Sequence, residues 1–282
     1  NVLRVADLFP PTGSAAARPG AFGPGGSSPD PVYSQWNFSV QQEVRTGSLV
    51  EVGYLGSKGT FLAQRINYNQ ATLDVDPARP TPILTRRRFP LFGDSIRITE
   101  NAANSTYHAV FVKLERRMSK GFSYLVSYTV SKSLDGASLI DDAARDIFNL
   151  RLNKGRSNFD LRHRPVLSST YELPGANRFV KGWTLNAIAS FRSGFPFSVS
   201  SQGDVCNCGA SNQFAQQVGD PRSGFTQSRL QWFNGGAYAQ PARGTFGTSG
   251  RNILDGPGEA TMNLSLFRSI SIREGIKLQL RG

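Results

Sequence analysis

No stretch of this 282-residue chain approaches the 18 or so consecutive apolar residues that a membrane-spanning helix needs, which excludes a helical membrane protein. A barrel of strands escapes that exclusion, because its strands alternate and average out to a modest apolar content such as the 39% found here. Cysteine and histidine are equally scarce, at two each. Cys206 and Cys208 flank a single asparagine. A structural zinc site takes about four ligands, and no histidine lies near this pair. Two readings stay open for it: a strained local disulfide in an oxidising compartment, or two free thiols. His108 and His163 fall on different segments, neither at ligand spacing from a cysteine or a repeated carboxylate, and read as ordinary polar histidines.

Acidic residues are in deficit, 20 against 32 Lys and Arg, for a net charge of +12. The basic residues are dispersed and show no aromatic–basic signature of an RNA-binding fold, so no nucleic-acid partner is expected. Arg86-Arg87-Arg88 is the one tight cluster, in a Pro-bearing loop, and reads as solvated rather than as a phosphate-binding patch.

The sequence also lacks a convincing catalytic constellation. Asp160, His163 and Ser168 follow a hydrolase-like order. In a strand, however, five residues span about 17 Å and end on opposite faces, beyond nucleophile–base reach. A polar strand entrance with ion pairs among Asp160, Arg162 and Arg164 is the expectation instead. Asp141, Asp142 and Asp146 lack the DxDxDG spacing of a calcium loop and read as a solvated acidic loop. LGSKGT (55–60) lacks the Gly-Lys-Ser/Thr order of a phosphate loop and reads as a loop with Gly-supplied turns. GPGGSS near the start reads as flexible. The expectation is a non-enzyme with no cofactor, no metal and no assignable ligand-binding residue.

What the chain has is alternation. In GFSYLVSYTVSK (121–132), Phe122, Tyr124, Val126, Tyr128 and Val130 share one face, with Ser123, Ser127, Thr129 and Ser131 behind them. The same habit groups eight strands into hairpins at 34–56, 105–133, 162–200 and 261–282. Residues 1–33, rich in Pro, Gly, Ala and Ser, read as an irregular extracellular loop. Turns within hairpins are a few residues. The connections between them, 57–104, 134–161 and 201–258, far exceed the ~15 residues usual in compact soluble domains. LIDDAARDIFN (139–149) is the only short-helix candidate. Short turns alternating with long loops, on strands of about 9–11 residues, are the habit of outer-membrane barrels. Phe122, Tyr171 and Trp183 near the short turns suit an interfacial aromatic girdle. A soluble sandwich of two sheets is the competing reading, and would cover the apolar stripe with a second layer.

Several motifs then occur in fixed order: YSQWNFSVQQEV (33–44), VEVGYLGSKGT (50–60), YHAVFVKLERRMSKGFSYLVSYTVSKSLD (107–135) and SNFDLRHRPVLSSTYELP (157–174). GWTLNAIASFRSGFPFSVS (182–200), WFNGGAYAQPARGTFGTSGRNILDGPG (232–258) and MNLSLFRSISI continue the series. With these the chain resembles the TonB-dependent outer-membrane receptors of the Oar-like type, which carry an N-terminal carboxypeptidase-regulatory-like domain. The resemblance implies an all-β, antiparallel, up-and-down barrel of about 22 strands, of which this chain supplies about eight. It implies an upstream plug, outside this sequence, that answers to the TonB complex. With no Met at Asn1 and an end at Leu280-Arg281-Gly282 inside a strand-like pattern, the chain reads as a piece of a longer one, open at both edges. The implied setting is the outer membrane of a Gram-negative-type bacterium. The implied partners are outer-membrane lipid and lipopolysaccharide, the TonB complex, and a solute or a carbohydrate or peptide ligand captured by the long loops. A surface adhesion protein using the barrel as a passive anchor is the alternative.

Overall fold

The structure is a computed structural model that describes residues 18–282, except 27, 75, 77, 94, 176, 178, 179, 274 and 275. Most of the expected 1–33 loop therefore lies outside the described residues, but its end holds a short strand, β1 (Ala21–Pro24). The long strands follow: β2 (Val32–Arg45), β3 (Ser48–Asn67), β4 (Ile96–Ser119) and β5 (Phe122–Asp135). A two-residue β6 (Gly155–Arg156) precedes β7 (His163–Glu172) and β8 (Trp183–Arg192). Within the longest loop, β9 (Pro196–Phe197) pairs with β12 (Leu254–Asp255), and β10 (Gln216–Gln217) with β11 (Tyr238–Ala239). β13 (Glu259–Arg273) and β14 (Ile276–Arg281) complete the sheet.

The main sheet runs β14-β13-β8-β7-β5-β4-β3-β2, so each long strand lies beside its chain neighbour in an antiparallel meander. β1 joins parallel to the start of β4, and β6 pairs with the end of β5. β2 and β14 are the two edges. The tight turns have the backbone that hairpins select. Lys120 (φ 52) and Gly121 (φ 77) are both left-handed, as a two-residue loop matched to strand twist requires. A Cβ on Gly121 would come within 2.9 Å of the Glu172 carbonyl oxygen, so glycine is needed there twice over.

Register carries the alternation across the whole sheet. One row reads Val40–Val52–Val112–Tyr128–Pro165, and the next Phe38–Tyr54–Val110–Val130–His163. Further along, Leu167, Ala189 and Met262 line up on the same face. The large side chains of these rows lie open: Phe38 is 69% exposed, Val110 50% and Met262 64%. No other sheet packs on this face among the described residues, so the sandwich reading fails. An apolar surface of this extent does not stay in water; each such side chain gains about 1.5–3 kcal/mol on full transfer to an apolar phase. The face is built for hydrocarbon, and the ladder satisfies the backbone polar groups that lipid cannot.

The opposite face is polar. It carries Ser123, Ser127, Thr129 and Ser131 on β5, a Lys113–Glu115 ion pair on β4, and Thr170 donating to Asn186 Oδ1 at 2.7 Å. Leu55, Leu125 and Ile188 interrupt it and are exposed.

The strands outrun the limits that the sequence suggests. β3 continues to Asn67 and β4 begins at Ile96, and their outer ends pair from Leu62↔Ala103 to Asn67↔Arg97 beyond a bulge at Phe61 (φ 57). Ile66 and Ile96 are buried there, which gives this part a small core of its own. The expected helix at 139–149 is a series of turns. Asp142 accepts from the Ser138 and Leu139 amides and Asp146 from that of Phe148, local bonds that compete with a helix. A single 3-10 turn, Leu150–Asn153, follows.

Candidate functional site: the loop cap

At the end of the polar face opposite the tight turns, the three long connections fold into one cap. The attachment point is β5. Ser133 and Asp135 continue the serine stripe of that strand, yet they are 6% and 3% exposed because loop residues cover them. Arg251, from the longest loop, donates to Asp135 Oδ1 at 2.5 Å, to its carbonyl at 3.2 Å, to Ser138 Oγ at 2.6 Å and to the Asn153 carbonyl at 3.0 Å. Ser133 Oγ bonds Ser157 Oγ at 2.7 Å, and the Ser133 amide donates to Asp160 at 2.7 Å. Arg156 bridges Asp160 (2.7 Å) and Asp255 (2.5 Å). Burial alone would lower the Arg156 pKa, but its hydrogen bonds to Asp160 and Asp255 outweigh that and raise it.

Asn252, held left-handed at φ 55, donates to the Arg156 carbonyl and to Asn158 Oδ1, both at 2.7 Å, and its amide donates to Ser198 Oγ. SNFD (157–160) and SGRN (249–252), short segments within two of the stretches quoted from the sequence, are thus the two halves of one lock.

A second junction ties the first long loop to the third. Cys206 and Cys208 are joined in a disulfide, and the Cys208 carbonyl accepts the Ala71 amide at 2.9 Å. Asp204 organises that turn by accepting from the Cys208 and Gly209 amides and from Gln213 Nε2. Asp204, Cys206 and Cys208 are the one group among the described residues whose atoms approach metal-ligand spacing, and the disulfide occupies both sulfurs. Arg86, expected to be solvated, is instead half-buried and fully engaged: it donates to the Thr72 and Thr81 carbonyls and to that of Asn207 (2.6 Å), near Asp74. Burial would raise Asp74, but bonds from Thr81 and the charge of Arg86 prevail and lower it.

Between these junctions lies a recess of about 320 Å³, lined among others by Arg65, Gln70, Ser95, Arg97, Asp141 and Ser211. Arg65 pairs with Asp141, and Ser95 Oγ is buried without a partner. Arg145 runs through the cap between the rings of Phe214 (5.0 Å) and Phe246 (5.8 Å). Burial lowers its pKa, with Asp146 acting in the opposite sense. This lining offers cations, amides and hydroxyls to a polar ligand.

The remaining sequence candidates are scattered. His163 Nδ1 meets Tyr128 Oη at 2.9 Å on the apolar face, Ser168 points to the other face, and Asp160 is engaged by Arg156, so the three do not converge. The ion pairs expected for Asp160 with Arg162 and Arg164 give way to Arg156, which the turn 157–160 brings back onto the carboxylate. His108 Nδ1 meets Tyr54 Oη at 2.7 Å. Asp141, Asp142 and Asp146 have specific partners and are not simply solvated. LGSKGT lies within β3, not in a loop: Gly56 is bare because the Trp36 indole lies across it, 2.3 Å from where a Cβ would sit.

The family that the sequence matches agrees with this architecture. The family model described as outer membrane beta barrel domain matches residues 3–282. Among solved structures, the outer membrane transporter YddB from Escherichia coli superposes with a TM-score of 0.44 at 10% identity, over 84% of this chain and 26% of that one. The chain thus spans about a quarter of that transporter's length. No curated protein matches the sequence.

Proposed function

The chain belongs to the outer membrane beta barrel domain family, and on that premise we propose that it forms part of the wall and mouth of a TonB-dependent receptor of the Oar-like type. Its location is the outer membrane. In this reading the loop cap captures a scarce polar solute and a plug inside the lumen, encoded elsewhere in the gene, gates its passage. The observation that carries the reading is the cap itself: three long loops cross-locked around a polar recess at the mouth of a polar face. The exposed Leu55, Leu125 and Ile188 support a filled lumen, because apolar side chains on a polar face call for a partner surface there.

The test is accumulation of a panel of labelled oligosaccharides, peptides and metal chelates by cells expressing the full-length protein, with and without TonB. At least one label should accumulate about tenfold less without TonB, and less again when 201–258 is shortened. Accumulation independent of TonB for every label, with cell adhesion lost on shortening the loop, replaces the receptor by a surface anchor.

A further inference from the structure

The recess between the three loops is lined by some polar groups that the fold already uses and by others that it leaves over. The outer ends of β3 and β4 supply one wall. Arg65 and Asn67 share a face of β3, and Arg97, the ladder partner of Asn67, stands on that face of β4. Arg65 and Arg97 are therefore diagonal neighbours, roughly 7–8 Å apart. Ser95, two residues before Arg97, lines the same recess, and Ser211 joins it from the turn that follows the disulfide.

The amides are already engaged. Asn67 Oδ1 accepts from the Asn69 and Ile96 amides, and Gln70 Oε1 from that of Ile147. Arg65 is paired with Asp141. Two groups have no such use. Ser95 Oγ is buried with no hydrogen-bond partner, where a buried hydroxyl normally has one. Arg97 pairs with no carboxylate among the described residues. Its guanidinium is steadied instead by the ring of Phe22, its neighbour across the β1–β4 pairing, 5.8 Å from Cζ. A guanidinium and a hydroxyl left over at one strand end call for an oxyanion.

The charge of the lining decides which oxyanion. Two guanidinium groups stand against the single carboxylate of Asp141, an excess of one positive charge. A carboxylate matches that excess and the planar fork of arginine, whereas a phosphate dianion would bring a second negative charge beside Asp141. At about 320 Å³ the recess lies at the small end of ligand sites, with room for a body of monosaccharide size.

We propose that the recess is the subsite for a small hydroxylated monocarboxylate of the sugar-acid class. Arg97 takes the carboxylate through two N–H groups and Ser95 Oγ donates to one of its oxygens. Arg65 and Asp141 face the hydroxyl groups of the body, one donating and the other accepting. The inference rests on the receptor reading of the cap and names the chemistry that such a receptor captures.

The experiment is calorimetric binding to the purified full-length protein, without TonB, of glucuronate and galacturonate, the neutral sugars glucose and galactose, and glucose 6-phosphate. A uronate should bind about tenfold or more tightly than its neutral sugar or the phosphate ester. Arg97→Gln should weaken uronate binding about 10- to 100-fold, the loss of its charge-assisted bonds. Ser95→Ala should weaken it about three- to tenfold yet leave thermal stability intact, since the hydroxyl has no bond within the protein to lose. A merely structural serine would do the reverse. Asp141→Asn removes the negative charge from the lining and should tighten binding several-fold. Arg229→Gln, at an exposed site of the third loop, should leave affinity unchanged. No uronate binding at millimolar concentration, neutral sugars bound equally well, the phosphate ester bound more tightly, or Arg97→Gln behaving like Arg229→Gln would each overturn the proposal. These failures leave TonB-dependent uptake standing, and uptake that ignores TonB leaves the binding standing, so the two readings fail separately.

Discussion

Replacing Arg251 by alanine tests whether the cap is held by its buried ion pair. The guanidinium and the Asp135 carboxylate are both almost fully buried, with side chains 7% and 2% exposed. Removing the cation leaves a carboxylate covered by loops, with Ser138 Oγ as its remaining side-chain donor. Breaking a buried pair from one side costs about 3–5 kcal/mol, more than the pair itself contributes, because the uncompensated charge stays behind. The cost should be felt by the cap alone, since the hydrogen bonds of the Arg251 side chain go to loop residues and to the last residue of β5. Amide exchange reads it directly. The Ser249 amide bonds the Ala215 carbonyl at 3.0 Å and the Asn252 amide bonds Ser198 Oγ at 2.8 Å, and both are protected only while the cap is closed. Their exchange should quicken roughly 100- to 3,000-fold, the equivalent of that cost at tenfold per 1.4 kcal/mol. Amides of the β4–β5 ladder should be unchanged. The double variant Arg251→Met, Asp135→Leu removes both charges and should recover most of the protection. Exchange at 249–252 that stays within threefold in Arg251→Ala, or a double variant no better than the single, refutes the argument.

Two further outcomes follow from other parts of the molecule. Val112→Arg places a charge in the middle of the apolar face and should cost about 2–4 kcal/mol of barrel stability, whereas Ser127→Arg on the polar face should assemble normally; heat-modifiable mobility of outer-membrane fractions compares them. Tyr68, in the first long loop, donates to Glu100 at 2.5 Å, and that bond, with burial second, pushes its pKa from 10.0 up to about 12. A raised folded-state value means stability that is whole below pH 10 and is lost as pH climbs through about 12. Tyrosinate absorbance should lose its most alkaline component in Tyr68→Phe, and in Glu100→Gln that component should move back toward the ordinary value.

The wall was legible in the sequence because its physics is local. Phe122 to Val130 alternate because a strand alternates, and Lys120-Gly121 turn because only certain residues tolerate left-handed backbone, so period and punctuation sufficed. The cap was not legible, because its bonds join residues about a hundred positions apart, as Asp135 to Arg251 and Asn158 to Asn252. Nothing in the pattern around Arg86 distinguishes a solvated arginine from one whose partners, Thr72 and Asn207, lie in different loops. The same gap explains one of the two misplaced features nearest the rim. Gly56 looked like turn punctuation, since glycine normally weakens a strand; its role appears only when the neighbouring strand lays Trp36 across it. Residues 139–149 looked helical by composition, yet Asp142 and Asp146 turn their carboxylates onto nearby amides, and Asp142 does so within 4.0 Å of Arg251. At Gly56 a partner from the neighbouring strand decides between two locally acceptable conformations, whereas at 139–149 the deciding carboxylate–amide bonds are local.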